Sequence, residues 1–152
     1  MPRTAPSELT DHLGYWLRAV SNHISQAFAA RLAATGVTVA EWVMLRALYG
    51  APPMAPSQLA GTMGMTRGAI TKLADRLIAK ALVARRASPD DARAQTLALT
   101  QAGEALVPEL AALADRNDAD CFGSLSKADR AALERLLRQL AEQAMITAPP
   151  LN

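Results

Sequence analysis

Little in this sequence is suited to covalent or metal chemistry. A single cysteine, Cys121, stands among 152 residues, so there is no disulfide framework, and a reducing cytoplasm is the expected home. The two histidines, His12 and His23, lie about three helical turns apart and are poorly placed to share a metal. Gly61-Thr62-Met63-Gly64 lacks the lysine of a phosphate-binding loop, and no G-x-S-x-G elbow occurs. These absences argue against an enzyme, and no cofactor or metal is expected. No apolar run approaches the roughly 20 residues of a bilayer span, and MPRTAPSELTDH has no signal-peptide core. Aromatic residues make up only 4% of the chain, which disfavours a large β-sandwich.

What is present is helix-forming. Hydrophobic residues account for 51% of the chain and are mostly Ala and Leu, and the length suits one domain with a real core. The formal charge is only +2, but it is unevenly spread. Residues 57–100 hold seven Lys and Arg against three Asp, net +4, while the remainder carries nine bases and eleven acids, net −2. A basic middle between slightly acidic arms suits a segment that meets phosphates.

The periodicity divides the chain. From Ser7 to Ala34, Leu9, Leu13, Trp16, Leu17, Val20, Ile24, Ala27, Phe28 and Leu32 form one stripe at steps of three and four, predicting a long helix ended by Gly36. Thr38 and Glu41 read as a capping box opening a second helix that buries Trp42, Leu45 and Leu48. Gly50-Ala51-Pro52-Pro53 stops it. Two short helices follow, over about 56–63 and 66–80. Residues 82–86 and 95–99 then read as strands joined by the turn-rich, charged segment 88–94, a hairpin. Helix resumes at Gln101, with Leu106, Leu110 and Leu113 on one face. Ser126 and Asp129 mark a last cap, Leu133, Leu136, Leu137 and Leu140 stripe the final helix, and the tail 148–152 is expected to fray.

The stretch from Pro56 to Leu73 is the most constrained. Two short helices crossing steeply need Leu59 and Met63 as a buried face, a small Ala60 at the crossing, and Gly64 for the turn. Met65 then points inward, Thr66 caps the next helix, and Ile70 and Leu73 pack it down. This is a helix-turn-helix pattern. Its outward side offers Arg67, Ala69, Thr71, Lys72 and Arg76, short or basic side chains fit for a major groove. The hairpin behind it, with Arg93 near its tip, has the character of a wing.

Leu82-Val83-x-Arg85, Asp91-x-Arg93 and Leu97-x-Leu99-Thr100-x-x-Gly103 resemble the wing signature of the MarR family of bacterial regulators. Gly36-Val37-Thr38 with Trp42 and Leu45 resembles that family's second helix, and Pro56-Ser57-Gln58-Leu59-Ala60 its third. The resemblance spans about residues 13–140. Ala92 and Ala81 depart from it, standing where arginine and glycine are common.

The resemblance implies a mainly α fold with a small β-hairpin wing: a winged helix-turn-helix (38–100) between helical dimerisation parts (7–34 and 101–146). It implies a homodimer that binds a pseudo-palindromic site on double-stranded DNA and acts as a cytoplasmic transcriptional repressor. Arg67, Ala69, Thr71, Lys72 and Arg76 would serve the major groove, and Arg85, Arg86 and Arg93 the wing. Asp91 would orient Arg93. Relatives often answer small aromatic or phenolic acids, for which His12, Trp16, His23, Trp42, Arg46 and Tyr49 are the candidates. Two alternatives keep the fold: a winged helix used for protein contacts, and a thiol-based redox regulator. Carboxylates around Cys121 argue against the second, and so does the resemblance, since peroxide-sensing relatives keep their reactive thiol in the first-helix region, outside which Cys121 falls.

Overall fold

The structure is a computed structural model describing residues 4–88, 90, 91 and 93–146. A single 3-10 turn (Leu9–Asp11) precedes α1 (Leu13–Ala33), α2 (Val39–Leu48), α3 (Pro56–Met63) and α4 (Arg67–Ala79). The hairpin β1 (Val83–Ala87) and β2 (Gln95–Leu99) follows, then α5 (Gln101–Phe122) and α6 (Lys127–Gln143). The fold is mainly α with a β-hairpin, as expected. The frayed tail and the departure at Ala92 concern residues outside those described.

Local chemistry sets most boundaries. The Thr38 hydroxyl accepts from the Glu41 amide at 3.2 Å, and the Glu41 carboxylate accepts from the Thr38 amide at 3.4 Å. Pro56 occupies the first turn of α3, where a missing N–H costs nothing. Gly64 ends that helix at φ 64°, the left-handed region in which a Cβ is strained. Thr66, Thr100 and Ser126 cap α4, α5 and α6 by accepting from Ala69, Gly103 and Asp129 amides.

One end departs from expectation. α1 begins at Leu13 rather than Ser7, because His12 is extended (φ −100°, ψ 125°). Side chains take up the backbone groups there: Asp11 accepts from the Glu8 amide, and the Trp16 indole N–H donates to the Thr10 carbonyl at 2.9 Å.

The core joins Leu32 and Val37 to Met44, Leu45, Leu48, Leu59, Met63, Ile70, Leu73 and Leu77, and continues through Val83, Leu97 and Leu99 to Val107 and Leu110 of α5. Each such side chain contributes about 1.5–3 kcal/mol of transfer free energy. β1 and β2 pair antiparallel with Val83 opposite Leu99 and Arg85 opposite Leu97. Met54 extends the ladder: its N–H donates to the Leu97 carbonyl at 2.9 Å, and its carbonyl accepts from the Leu97 N–H at 2.7 Å. The hairpin is therefore hydrogen-bonded to the connection between α2 and α3 as well as to itself.

Its base is tied to α5. The Thr100 hydroxyl donates to the Ala81 carbonyl at 2.7 Å, and the Thr100 amide donates to the Leu82 carbonyl at 3.0 Å. Ala81 itself sits at φ 59°, where an L side chain is strained. Ala81→Gly should therefore stabilise the protein by about 1 kcal/mol, read as a higher denaturant midpoint at unchanged slope. A lower midpoint would show that the Ala81 methyl contributes more by packing than its backbone loses in strain.

Much of the apolar stripe of α1 is not buried within one chain. Leu13 is 88% and Leu17 53% exposed, and Trp16 and Val20 are also exposed. α6 has no buried residue at all, and Leu136, Leu137 and Leu140 stand open. Between these helices runs an apolar groove lined by Leu17, Val20, Ile24, Phe122, Leu133 and Leu137. α1 is fastened instead to α5: Arg31 pairs with Asp120 and donates through Nε to the buried Asn117, whose amide donates to the Ile24 carbonyl at 3.3 Å.

Candidate nucleic-acid interface

α4 meets the core through Ile70, Leu73, Ala74 and Leu77, all buried. The rest of the helix stands clear of the body: Arg67, Thr71, Lys72 and Arg76 are exposed. Ala69 is half-buried on the flank, where its amide is taken by the Thr66 cap. The Thr71 hydroxyl donates to the Arg67 carbonyl one turn back at 3.0 Å, leaving its lone pairs as acceptors. The exposed side thus carries three cations, Arg67, Lys72 and Arg76, and one acid, Asp75, which is taken up by Arg85 of the hairpin.

The wing residues divide into different roles. Arg85, expected at the DNA, is exposed and forms an ion pair with Asp75 of α4, so its guanidinium braces hairpin against helix. Arg86, its neighbour on the strand, is exposed. Arg93 is exposed beyond the hairpin, and Asp91 reaches it through the backbone, accepting from the Arg93 amide at 2.9 Å. Asp91 shapes the loop that carries Arg93. Ser88 and Ala94 close that loop, with the Ser88 amide donating to the Ala94 carbonyl at 2.9 Å.

Residues 35–94 match the sequence profile of the MarR family. Over 136 residues the chain is 32% identical to a putative transcriptional regulatory protein for the hcr operon of Thauera aromatica, covering 89% of this chain and 82% of that one. The chain belongs to the MarR family. Among solved structures, that of BpsR from Bordetella bronchiseptica, concerned with regulation of DNA binding by 6-hydroxynicotinic acid, is 26% identical. It superposes with a TM-score of 0.81 over 90% of this chain and 98% of that one. A cysteine-to-serine mutant of MarR from E. coli complexed with operator DNA is also 26% identical, with a TM-score of 0.77 over 84% and 92%.

One group in this MarR-family winged helix was not foreseen from sequence beyond its capping role. Glu41 is buried, 1% exposed, and its carboxylate accepts from the Lys80 ammonium at 2.7 Å. The same ammonium donates to the Gly36 carbonyl at 2.6 Å, and the Arg76 guanidinium lies 3.9 Å from Glu41. Burial pushes the Glu41 pKa up, but hydrogen bonds from Lys80 and Thr38 and the Lys80 charge outweigh it and hold the carboxyl below its ordinary value. A capping glutamate 39 positions from a lysine carries no sequence signal for such a pair.

Among the described residues the effector candidates fall into separate contacts on α1 and α2. Arg46 stacks over the Tyr49 ring, 5.8 Å from its centre, and Trp42 packs edge-on against Phe28. His12 bonds to the Glu8 carbonyl, Trp16 contacts Tyr15 edge-on, and His23 is exposed further along α1. The α1–α6 groove is lined by none of the six. Cys121 is half-buried in α5. Among the described residues no group of His, Cys, Asp and Glu is arranged to hold a metal, and no helix is long and apolar enough to cross a membrane.

Proposed function

We propose that the protein is a cytoplasmic repressor that grips a pseudo-palindromic DNA operator as a homodimer, and not an enzyme. Residues 38–100 are the DNA-binding part, and 7–34 with 101–146 the dimerisation part. The observation that carries the reading is the exposed Arg67–Thr71–Lys72 side of α4, opposite a fully buried Ile70–Leu73–Leu77 side. Such a helix presents base-reading and phosphate-binding groups to a major groove. The open leucines of α1 and α6 support a two-fold partner of the same kind, since one self-complementary interface would bury both stripes. Two α4 helices would then read half-sites about 34 Å apart.

In this arrangement Arg67, Lys72 and Arg76 contact phosphates or bases, Thr71 and the small Ala69 line the groove, and Arg93, with Arg86 beside it, serves the flank. Arg85 and Asp91 shape the wing. A small aromatic or phenolic acid is the proposed effector, as BpsR answers 6-hydroxynicotinic acid. The Arg46–Tyr49 stack and Trp42 are its anchors on α2, and His12, Trp16 and His23 the α1 wall a dimer would add. An arginine beside aromatic faces suits an organic carboxylate. Binding would shift the population toward a spacing of α4 helices that misfits the half-sites.

The test is selection of duplexes from a random-sequence pool by the wild-type protein, which should return an inverted repeat. Arg93→Ala should then weaken binding to selected and scrambled duplexes alike and lower the slope of log affinity against log salt by about one. Substituting Thr71 or Lys72 should change which sequence is selected. An unchanged slope removes Arg93 from the interface, and an unchanged selection removes α4 as the reader.

A further inference from the structure

Arg76 in the last turn of α4 and Lys80 at its C-cap sit one turn apart, a like-charge spacing that by itself is unfavourable. Glu41 of α2 resolves the conflict from below, taking Lys80 at 2.7 Å and lying 3.9 Å from Arg76. Lys80 has a second partner, the Gly36 carbonyl, which belongs to the turn joining α1 to α2. The C-terminal end of α4 is therefore fastened at two points, to the turn that leaves α1 and to the first turn of α2. At its other end α4 is capped by Thr66 and follows the glycine turn from α3, a purely local connection.

Resting on the DNA-binding reading above, we propose that Glu41 and Lys80 are positioning residues that fix the attitude of the recognition helix and keep Arg76 aimed outward. They would do so without touching DNA themselves. The pair transmits the placement of α1 to the reading side of α4. A buried carboxylate held by two bonded partners has one geometry, whereas an apolar contact at the same place would tolerate sliding. The experiment separates this from bulk electrostatics, because the two make opposite predictions. Removing the Glu41 charge adds one positive charge per chain beside the interface. Counted as charge alone, that strengthens binding to any DNA. Counted as positioning, it weakens binding to the right DNA only.

The probes are a duplex carrying the inverted repeat selected by the wild type and a scrambled duplex of equal length. Affinities for both are measured for Glu41→Gln, Lys80→Met, Lys80→Arg and the Glu41→Gln/Lys80→Met double variant, with folding checked by circular dichroism. Glu41→Gln and Lys80→Met should each lower the ratio of selected to scrambled affinity at least tenfold. Lys80→Arg, which keeps charge and reach, should stay within threefold of wild type. The double variant should be no worse than the poorer single one, as expected when two groups act as a unit. A change in fold stability alone lowers both affinities together and leaves the ratio in place. A ratio within twofold of wild type in folded Lys80→Met overturns the proposal, and that variant decides the matter if Glu41→Gln does not fold. If the wild type selects no sequence at all, the DNA-binding reading fails and takes this one with it.

Discussion

Gly103→Ala should lower the unfolding free energy by about 3 kcal/mol, at the upper end of what overpacking a well-filled site costs. A Cβ on Gly103 would lie 2.2 Å from the Leu82 carbonyl oxygen and 3.3 Å from a Leu99 methyl. The first of these neighbours is backbone, so it has no rotamer into which it can retreat. Displacing it breaks the bond from the Thr100 amide, 3.0 Å long, that fastens the wing to α5. For a chain of this size the loss corresponds to a melting temperature about 10 °C lower. Gly61→Ala is the control: nothing lies within 4 Å of a Cβ built there, and alanine is the better helix residue. A Gly103→Ala protein that melts within about 2 °C of wild type would mean the wing base yields freely, and the tight joint between wing and α5 would have to be abandoned.

Leu17→Glu should convert the protein to a monomer at micromolar concentration, raising the dimer dissociation constant at least a hundredfold, about 2.7 kcal/mol. Leu17 is exposed within one chain and lines the apolar groove that continues to Leu133 and Leu137. In a two-fold interface the substitution places a carboxylate on both sides, and each costs several kcal/mol if it stays ionised without a partner. Binding to the selected inverted repeat should collapse to the level of a scrambled duplex, because two half-sites would no longer be held by one body. Because Leu17 lies outside the single-chain core, the monomer should keep its helical content. Sedimentation gives the mass and circular dichroism the fold. A folded variant that remains dimeric would place the two-fold contact elsewhere on the molecule.

Where the chain turns was legible because turns are local. The Thr38–Glu41 box, the left-handed Gly64 and the Thr66 cap each satisfy backbone groups within a few residues, so spacing alone reveals them. α3 and α4 stand where the spacing puts them for that reason. The start of α1 was misplaced because its apolar period continues through Leu9 while the backbone does not. The period reports which face is greasy and is silent about a break held by the Trp16 indole and the Asp11 carboxylate. On the interface, the basic residues of α4 could be named from their place after the glycine turn. Which arginine of the wing is free could not. Arg85 and Arg86 are neighbours in sequence and both exposed, and only the pleat and the approach of Asp75 give one of them an ion pair to α4.

The amino-acid sequence alone determined that this is a helix-turn-helix with a hairpin behind it, because capping, glycine turns and apolar periods act over a few residues at a time. Tertiary structure alone decided the joints: Met54 to Leu97, Arg85 to Asp75, Thr100 to Ala81, and Lys80 to both Glu41 and Gly36. Those contacts join residues ten to more than forty positions apart. Each depends on a geometry that exists only after the core has brought the elements together, which no pattern along the chain encodes.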